Sequence, residues 1–366
     1  MRAVLWLACR HHMGELHVKH PDNAVRVINT TAPEDSMFKK FQQIFENLPP
    51  CYYRLYEWPA ELFHPLDFVT TRALEVRQWG TEQMRSGTFD QQRDDYRELC
   101  ELVVFYLGGS VSRKRKVGGA VQLPFTMRHP GAFHQARFLS KALYLIKMSM
   151  MMDVLPESVV PLDKRSSVDR MARLISLFHA KYFLQAFLPA AGARLDLQYW
   201  KDMSAYSRYD AEVSAEVKDS ILRQRWYLTE ELSVLSLFDC SLKFNERSDI
   251  ATSLLSYPKP QLFLPGQPIF PDLTDETEIP ELIGPRSWFL FDLLHKSPEW
   301  LRSPAEEWEN DEEYNEINSI IMNLSVTNDT AERAIKKVTE YANSANDRGQ
   351  RGKIIGLASF KNEWLH

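Results

Sequence analysis

Apolar residues recur every three or four positions along most of this chain, and this spacing limits the folds open to it. Residues that repeat with this period share one face of an α-helix, so each stretch predicts a helix that buries its apolar face. Glycine, proline or aspartate marks the ends of these stretches. The longest are "DDYRELCELVVFYLGG" (94–109), "PGAFHQARFLSKALYLIKMSMMM" (130–152), "SSVDRMARLISLFHAKYFLQAFL" (166–188) and "DAEVSAEVKDSILRQRWYLTEELSVLSLF" (210–238).

Composition indicates a soluble globular protein of one large domain or two to three smaller ones, since 44% of the 366 residues are apolar. The 44 basic and 49 acidic residues nearly cancel, so nucleic-acid or membrane binding would need a local patch. The four cysteines, Cys9, Cys51, Cys100 and Cys240, lack the paired spacing of a disulfide framework or a zinc site. We therefore expect an intracellular protein, and no apolar run is long enough to cross a membrane.

The run "AVLWLA" (3–8) is the best candidate for a buried β-strand, yet almost nothing else in the chain could pair with it. A stable small sheet needs about three strands. Two interpretations remain. Either helices cover an unusual extended segment, or the partner strands preceded Met1 in a longer ancestral chain, which we favour.

The next segment, "CRHHMGELHVKH", is rich in possible metal ligands. Cys9 and His12 form a C-x-x-H pair, but structural zinc takes four ligands and the later histidines fall elsewhere on the helical turn. His12 and Glu15 are three residues apart and would share a helix face. A hydrogen-bonded pair at a strand–helix junction is therefore favoured over a metal site, and we predict no metal and no cofactor.

Five segments, taken in order, resemble an animal mobile-element protein family that is similar to the C-terminal part of hAT-like DDE transposases. The resemblance runs from Leu5 to about Asn343. It implies a ribonuclease H-like core, a long helical insertion and a last catalytic acid on a helix near the C-terminus. The segments are "LWLACRHHMGEL", "YRELCELVVFYLGG", "PGAFHQARFLSKALYLIK", "WYLTEELSVLSLFD" and "NDTAERAIK".

The resemblance also implies an incomplete catalytic set, because the strands carrying the first two acids would precede Met1. Two-metal phosphoryl transfer needs carboxylates from separate elements, so we expect no enzyme activity. Glu332 matches the position of the third acid as a vestige. Asp329 and Glu332 also form the D-x-x-E pattern of a helix capping box, which we favour.

The expected fold is mainly α, with helices attached to a truncated ribonuclease H-like edge that has one N-terminal strand. Seven prolines from Pro258 to Pro285 predict an extended connector, packed through Phe263 and Phe270. The expected regions are a strand–helix remnant of the core (1–30), a helical insertion (31–256), the connector (257–287), a C-terminal helical region (288–345) and a tail (346–366).

A basic loop and a basic helix face are the candidate functional surfaces. In the helix opened by Pro130, His134, Arg137 and Lys141 fall on one side and could contact phosphates or pair with acidic neighbours. The loop "SRKRKVGG" suits phosphate contacts or a nuclear-import signal, and a solvated turn is the alternative. Its basic residues are Arg113, Lys114, Arg115 and Lys116.

The sequence thus favours a non-catalytic, transposase-derived protein that binds nucleic acid weakly, with DNA as the candidate ligand. The expected location is the nucleus or the cytoplasm, and it is the nucleus if the basic loop acts as an import signal. The alternative is a structural protein that joins a second copy, or a longer relative, through apolar helix faces and the unpaired edge of "AVLWLA".

Overall fold

A computed structural model describes most of the chain, and the part it describes is mainly α-helical and contains no β-strand. The prediction of a mainly α fold is confirmed. The described residues are 7–27, 35–49, 52–56, 67–89, 94–111, 125–131, 139–261 and 269–324. The helices are α1 (Arg10–Val25), α2 (Ser36–Ile44), α3 (Phe68–Arg85), α4 (Asp94–Tyr106), α5 (Ser140–Met150), α6 (Leu162–Leu174), α7 (Ala180–Leu184), α8 (Gly192–Tyr206), α9 (Ala211–Arg223), α10 (Glu230–Ser233), α11 (Phe244–Ser256), α12 (Phe289–Leu293) and α13 (Glu312–Met322).

Aspartate side chains begin several of these helices. The carboxylate of Asp35 accepts hydrogen bonds from the backbone N–H groups of Met37 and Phe38 at the start of α2. Asp67 caps α3 and Asp311 caps α13 in the same way. Such caps satisfy backbone donors that have no partner within the helix, and each stabilises the protein by about 1 kcal/mol.

The predicted helix over 94–109 is confirmed as α4, whereas two longer predictions differ in detail. Residues 166–188 lie largely in one continuous helix, in which a π-helical segment, Ile175–His179, joins α6 to α7. We call this segment the π-turn. Residues 210–238 do not form one helix, because the chain leaves helical geometry at Gln224. The residues from 227 to 238 are buried almost throughout, in 3₁₀ turns and α10, rather than on one helix face.

Two apolar cores share two helices. The first core lies among α1 to α9, and the second lies among α8, α10, α11, α12 and α13. α1 contributes Val18 to the first core and Met13 to the second. α8 divides its residues likewise, with Tyr199 in the first core and Leu197 in the second. These two helices therefore join the cores.

The proline-rich connector packs against the second core. From residue 269 to 278 it has no regular helix, and it then forms the 3₁₀ turns Ile279–Leu282 and Pro285–Trp288. Phe270 packs edge-on against Trp226, with ring centroids 5.3 Å apart, while Phe263 lies outside the described residues. The second core takes residues from both sides of this connector, so the connector does not separate two independent cores.

The predicted N-terminal strand lies mostly outside the described residues. Leu7 to Cys9 have no regular secondary structure and lead directly into α1. The strand and the ribonuclease H-like edge therefore stay predictions. None of the helices that the structure describes is long and apolar enough to cross a bilayer.

Gly80 allows α3 and α4 to pack closely, and this contact yields a test of the packing. A Cβ on Gly80 would lie 2.6 Å from Cγ2 of Val104 and 3.3 Å from Sγ of Cys100. In a solvent-facing helix, Gly→Ala stabilises by about 1 kcal/mol. We expect Gly80→Ala instead to destabilise the protein by about 1–3 kcal/mol in urea unfolding, because the added methyl overpacks the interface.

The double variant Gly80→Ala/Val104→Ala is the control, since it removes the methyl groups that would clash. We expect its loss of stability to be smaller than the sum of the two single losses. A Gly80→Ala protein more stable than the wild type would contradict the close packing of α3 and α4.

Candidate nucleic-acid interface

Most of the residues that the sequence singles out lie outside the described residues, so their placement stays a prediction. The ends of the basic loop are described, however. Val111 is buried in the first core, and Phe125 stacks on Phe105 of α4 with ring centroids 4.1 Å apart. The loop therefore leaves and rejoins the body near the C-terminal end of α4. The residues outside the description are Arg113, Lys114, Arg115, Lys116, His134, Arg137, Asp329 and Glu332.

Lys141 is described, and its ammonium group is paired within the fold. It donates hydrogen bonds to the carboxylate of Asp22 and, at 3.3 Å, to Oδ1 of Asn23. Arg26 binds the same carboxylate at 2.5 Å and reaches Asp35 at 2.7 Å. Burial would raise the pKa of Asp22, but Lys141 and Arg26 together hold it below its usual value. Lys141 therefore pairs with an acidic neighbour, and a phosphate would have to compete with Asp22 for its ammonium group.

A second group of basic residues lies where α1 meets α9. Lys19 and Arg223 are exposed, and His20 is partly exposed. Partial burial lowers the pKa of His20, and the nearby positive charges of Arg223 and Lys19 lower it further. Lys19 and Arg223 therefore each lie near His20, and an anion bound beside His20 would interact favourably with both positive charges. We call these three side chains the α1/α9 basic face.

Glu15 connects this face with Lys141. Burial raises the pKa of its carboxyl group to about 7, although Lys19 and Lys141 act to lower it. Both ammonium groups are thus near Glu15, and the start of α5 lies beside the α1/α9 basic face. The carboxyl group changes charge near neutral pH, so the net charge of this surface depends on pH.

The register of α1 against α9 positions the basic face. Nδ1 of His17 lies 3.0 Å from Oγ of Ser220, and both side chains are buried. This hydrogen bond joins residues 203 positions apart in the chain. Sequence reasoning did not bring Lys19, His20 and Arg223 together, because no local pattern indicates that these two helices are neighbours.

The C-x-x-H pair of Cys9 and His12 lies at the start of α1. Cys9 is the N-cap residue of α1, with extended backbone, and His12 is exposed one turn later. Among the residues that the structure describes, no three histidine, cysteine, aspartate or glutamate side chains are arranged to hold a metal ion.

A buried ion pair lies between the two cores, close to the start of α1. Nη2 of Arg10 donates a hydrogen bond to Oδ1 of Asp196 at 2.8 Å, and Tyr182 donates to the same oxygen at 3.1 Å. The guanidinium carbon lies 5.2 Å from the ring centroid of Tyr182 and 4.8 Å from that of Tyr227. Burial raises the pKa of Asp196, while Arg10 opposes that rise. Arg10 and Asp196 are thus buried charges that compensate each other, and sequence analysis did not identify either of them as buried.

Comparisons of the chain with protein-family models, curated proteins and solved structures found no match. A function for the chain therefore has to be inferred from its own residues and their geometry.

Removing one partner of the Arg10–Asp196 pair should leave an uncompensated buried charge. We expect Asp196→Ala to destabilise the protein by about 3–5 kcal/mol in urea unfolding monitored by circular dichroism. The matched control is Glu299→Ala, because Glu299 pairs with Arg302 at 3.5 Å and both side chains are more than 70% exposed. That control should change the stability by less than about 1 kcal/mol, and equal effects of the two variants would contradict the role of the buried pair.

Proposed function

We propose that this chain is the helical part of a transposase-like protein that does not cut DNA and that binds nucleic acid weakly. The ordered set of five segments, with its implied ribonuclease H-like edge, supports the transposase relationship. Lack of catalysis is part of this proposal, so the purified chain should not nick DNA in the presence of Mg²⁺ or Mn²⁺. The basic loop at 113–116 provides for nuclear import in this proposal.

The α1/α9 basic face is the observation that most supports nucleic-acid binding. Lys19 and Arg223 present positive charge at one place although they come from distant parts of the chain. Lys141 at the start of α5 lies beside this place, and the segment carrying His134 and Arg137 runs directly into α5. Basic residues from three parts of the chain thus converge on one surface, as phosphate binding requires.

The same geometry accounts for weak binding. Lys141 already pairs with Asp22, and Glu15 opposes Lys19 when it is ionised. Few uncompensated positive charges therefore remain on the described part of this surface. Because affinity for duplex DNA grows with the number of phosphates that the protein neutralises, a small number gives low affinity with strong salt dependence.

Fluorescence anisotropy with a labelled DNA duplex, and with a single strand of the same sequence, tests the proposed contact. We expect affinity to fall as salt rises between about 50 and 200 mM. The variant Lys19→Ala/Arg223→Ala should reduce the slope of log K against log salt by up to about 2, because two phosphate contacts are lost.

Arg302→Ala is the matched control, since Arg302 is exposed, pairs with Glu299 and follows Leu301 of the second core, and it should not alter the slope. A separate variant with alanine at all four positions from 113 to 116 measures the contribution of the basic loop. Binding that is absent, or that ignores salt, would overturn the proposal.

The charge of Glu15 predicts tighter binding in mild acid. As the pH falls from about 8 to about 6, Glu15 is neutralised, because burial raises the pKa of its carboxyl group to about 7. The loss of this negative charge makes the surface more positive, so DNA affinity should rise. Glu15→Gln should bind more tightly than the wild type at pH 8 and as tightly at pH 6; the same pH profile in both proteins would exclude Glu15 from the interface.

Self-association is the second candidate, and two exposed apolar side chains favour it. Val27 follows α1 and is 64% exposed, and Leu162 begins α6 and is 62% exposed. Nζ of Lys164 donates to the carbonyl oxygen of Arg26 at 2.8 Å, so the two side chains lie near a common contact. Sedimentation equilibrium would reveal a concentration-dependent dimer that Leu162→Glu abolishes, whereas a monomer at all concentrations would exclude this candidate.

A further inference from the structure

The π-turn places an unusual polar side chain in the first core. π-helical segments inside α-helices are rare and often occur at functional positions. His179 is the last residue of the π-turn and its side chain is fully buried. A Cβ on Gly14 of α1 would lie 3.6 Å from Cε1 of His179, so the imidazole ring lies directly against α1. The ring also contacts Phe183, with centroids 5.6 Å apart.

Neither ring nitrogen of His179 has a hydrogen-bond partner within the described residues. The neighbouring imidazole of His17 is better satisfied, because its Nδ1 shares a hydrogen bond with Oγ of Ser220. The His17 ring also lies 5.8 Å from the ring of Tyr182 and 5.9 Å from that of Tyr199. Two buried imidazoles from different elements therefore hold α1 between the π-turn and α9.

Charged and polar groups from several elements face these rings, and among them Arg10 and His20 disfavour a positive charge on His17. α1 contributes Arg10 and His20, α7 contributes the phenol of Tyr182, and α8 contributes Asp196 and Tyr199. Asp196 is already bound by Arg10 and Tyr182, so it is not an uncommitted counter-ion. α9 presents the uncharged hydroxyl of Ser220.

The pKa values agree with this arrangement. Burial lowers the pKa of His179 to about 3. Burial also lowers the pKa of His17 well below its usual value, and His179, Arg10 and His20 add to the effect. In an unfolded or detached segment, both imidazoles would take up protons near pH 6.5.

We propose that His17 and His179 form an acid-sensitive latch, which holds α1 against the π-turn and α9 while both imidazoles are neutral and releases α1 when they are protonated. The latch is independent of nucleic-acid binding, although α1 also carries Lys19 and His20. Because α1 contributes to both cores, its release would loosen the junction between them.

The sign of the pH effect follows from the lowered pKa values. The stabilisation by neutral histidine is complete above pH 6.5 and is lost as the pH falls from there toward the pKa of the folded state. Glu15 acts in the opposite direction, because its raised pKa stabilises the folded state as the pH falls below about 7. A comparison of variants, rather than the wild type alone, therefore isolates the latch.

His179→Met and His17→Asn are the test variants, measured as full chains by urea unfolding from about pH 7 to pH 5. Methionine is close to histidine in volume and suits the apolar neighbours, while the asparagine amide can replace Nδ1 toward Ser220. The unfolding equilibrium constant of the wild type, relative to either variant, should rise by up to about tenfold per pH unit below pH 6.5. His129→Asn, at an exposed histidine, is the matched control, and a pH dependence of the same size in this variant would contradict the latch.

Two measurements on the wild type keep the proposal testable if a variant fails to fold. Histidine NMR signals from the folded protein should show His17 and His179 neutral at pH 5.5, and titration of either near 6.5 would overturn the latch. Hydrogen exchange, corrected for its intrinsic pH dependence, should show α1 losing protection at a higher pH than α11, which lies in the second core. Simultaneous loss in α1 and α11 would indicate general acid unfolding and would also overturn the proposal.

Discussion

The buried ion pair of Arg10 and Asp196 is the interaction on which the joining of the two cores depends. Arg10 lies between Tyr182, which belongs to the first core, and Tyr227, which belongs to the second. Gly192 makes this approach possible, since a Cβ there would come 2.7 Å from Nη1 of Arg10 and 2.3 Å from Cδ1 of Tyr227. A charge at the junction requires one geometry, because Asp196 has to lie where it can compensate Arg10, whereas an apolar contact would tolerate several.

The sequence predicted the helices better than their arrangement. α4 follows its apolar period closely. The stretch from 210 to 238 was misleading because its second half is apolar on all sides, and periodicity then no longer distinguishes a helix from irregular buried chain. The π-turn was also invisible, since its residues fit an ordinary helix.

The candidate interface was predictable only in part. Lys141 stood out because it shares a helix side with other basic residues, but its partner Asp22 lies 119 residues away and could not be inferred. The same limitation hid Arg223 beside Lys19, and it hid Arg10 and His17 as buried groups. Local patterns report which side chains share a face, whereas the charge that a face presents depends on distant elements packed against it.

The double role of α1 has a consequence for the order in which the protein is made. α1 ends at Val25, yet the partners of its buried polar residues include Asp196, Ser220 and Tyr227. At about 5–20 residues per second, a ribosome reaches Tyr227 roughly 10–40 s after completing α1. α1 is thus synthesised well before the elements that cover it, and until then its charged and apolar groups depend on solvent or on a chaperone.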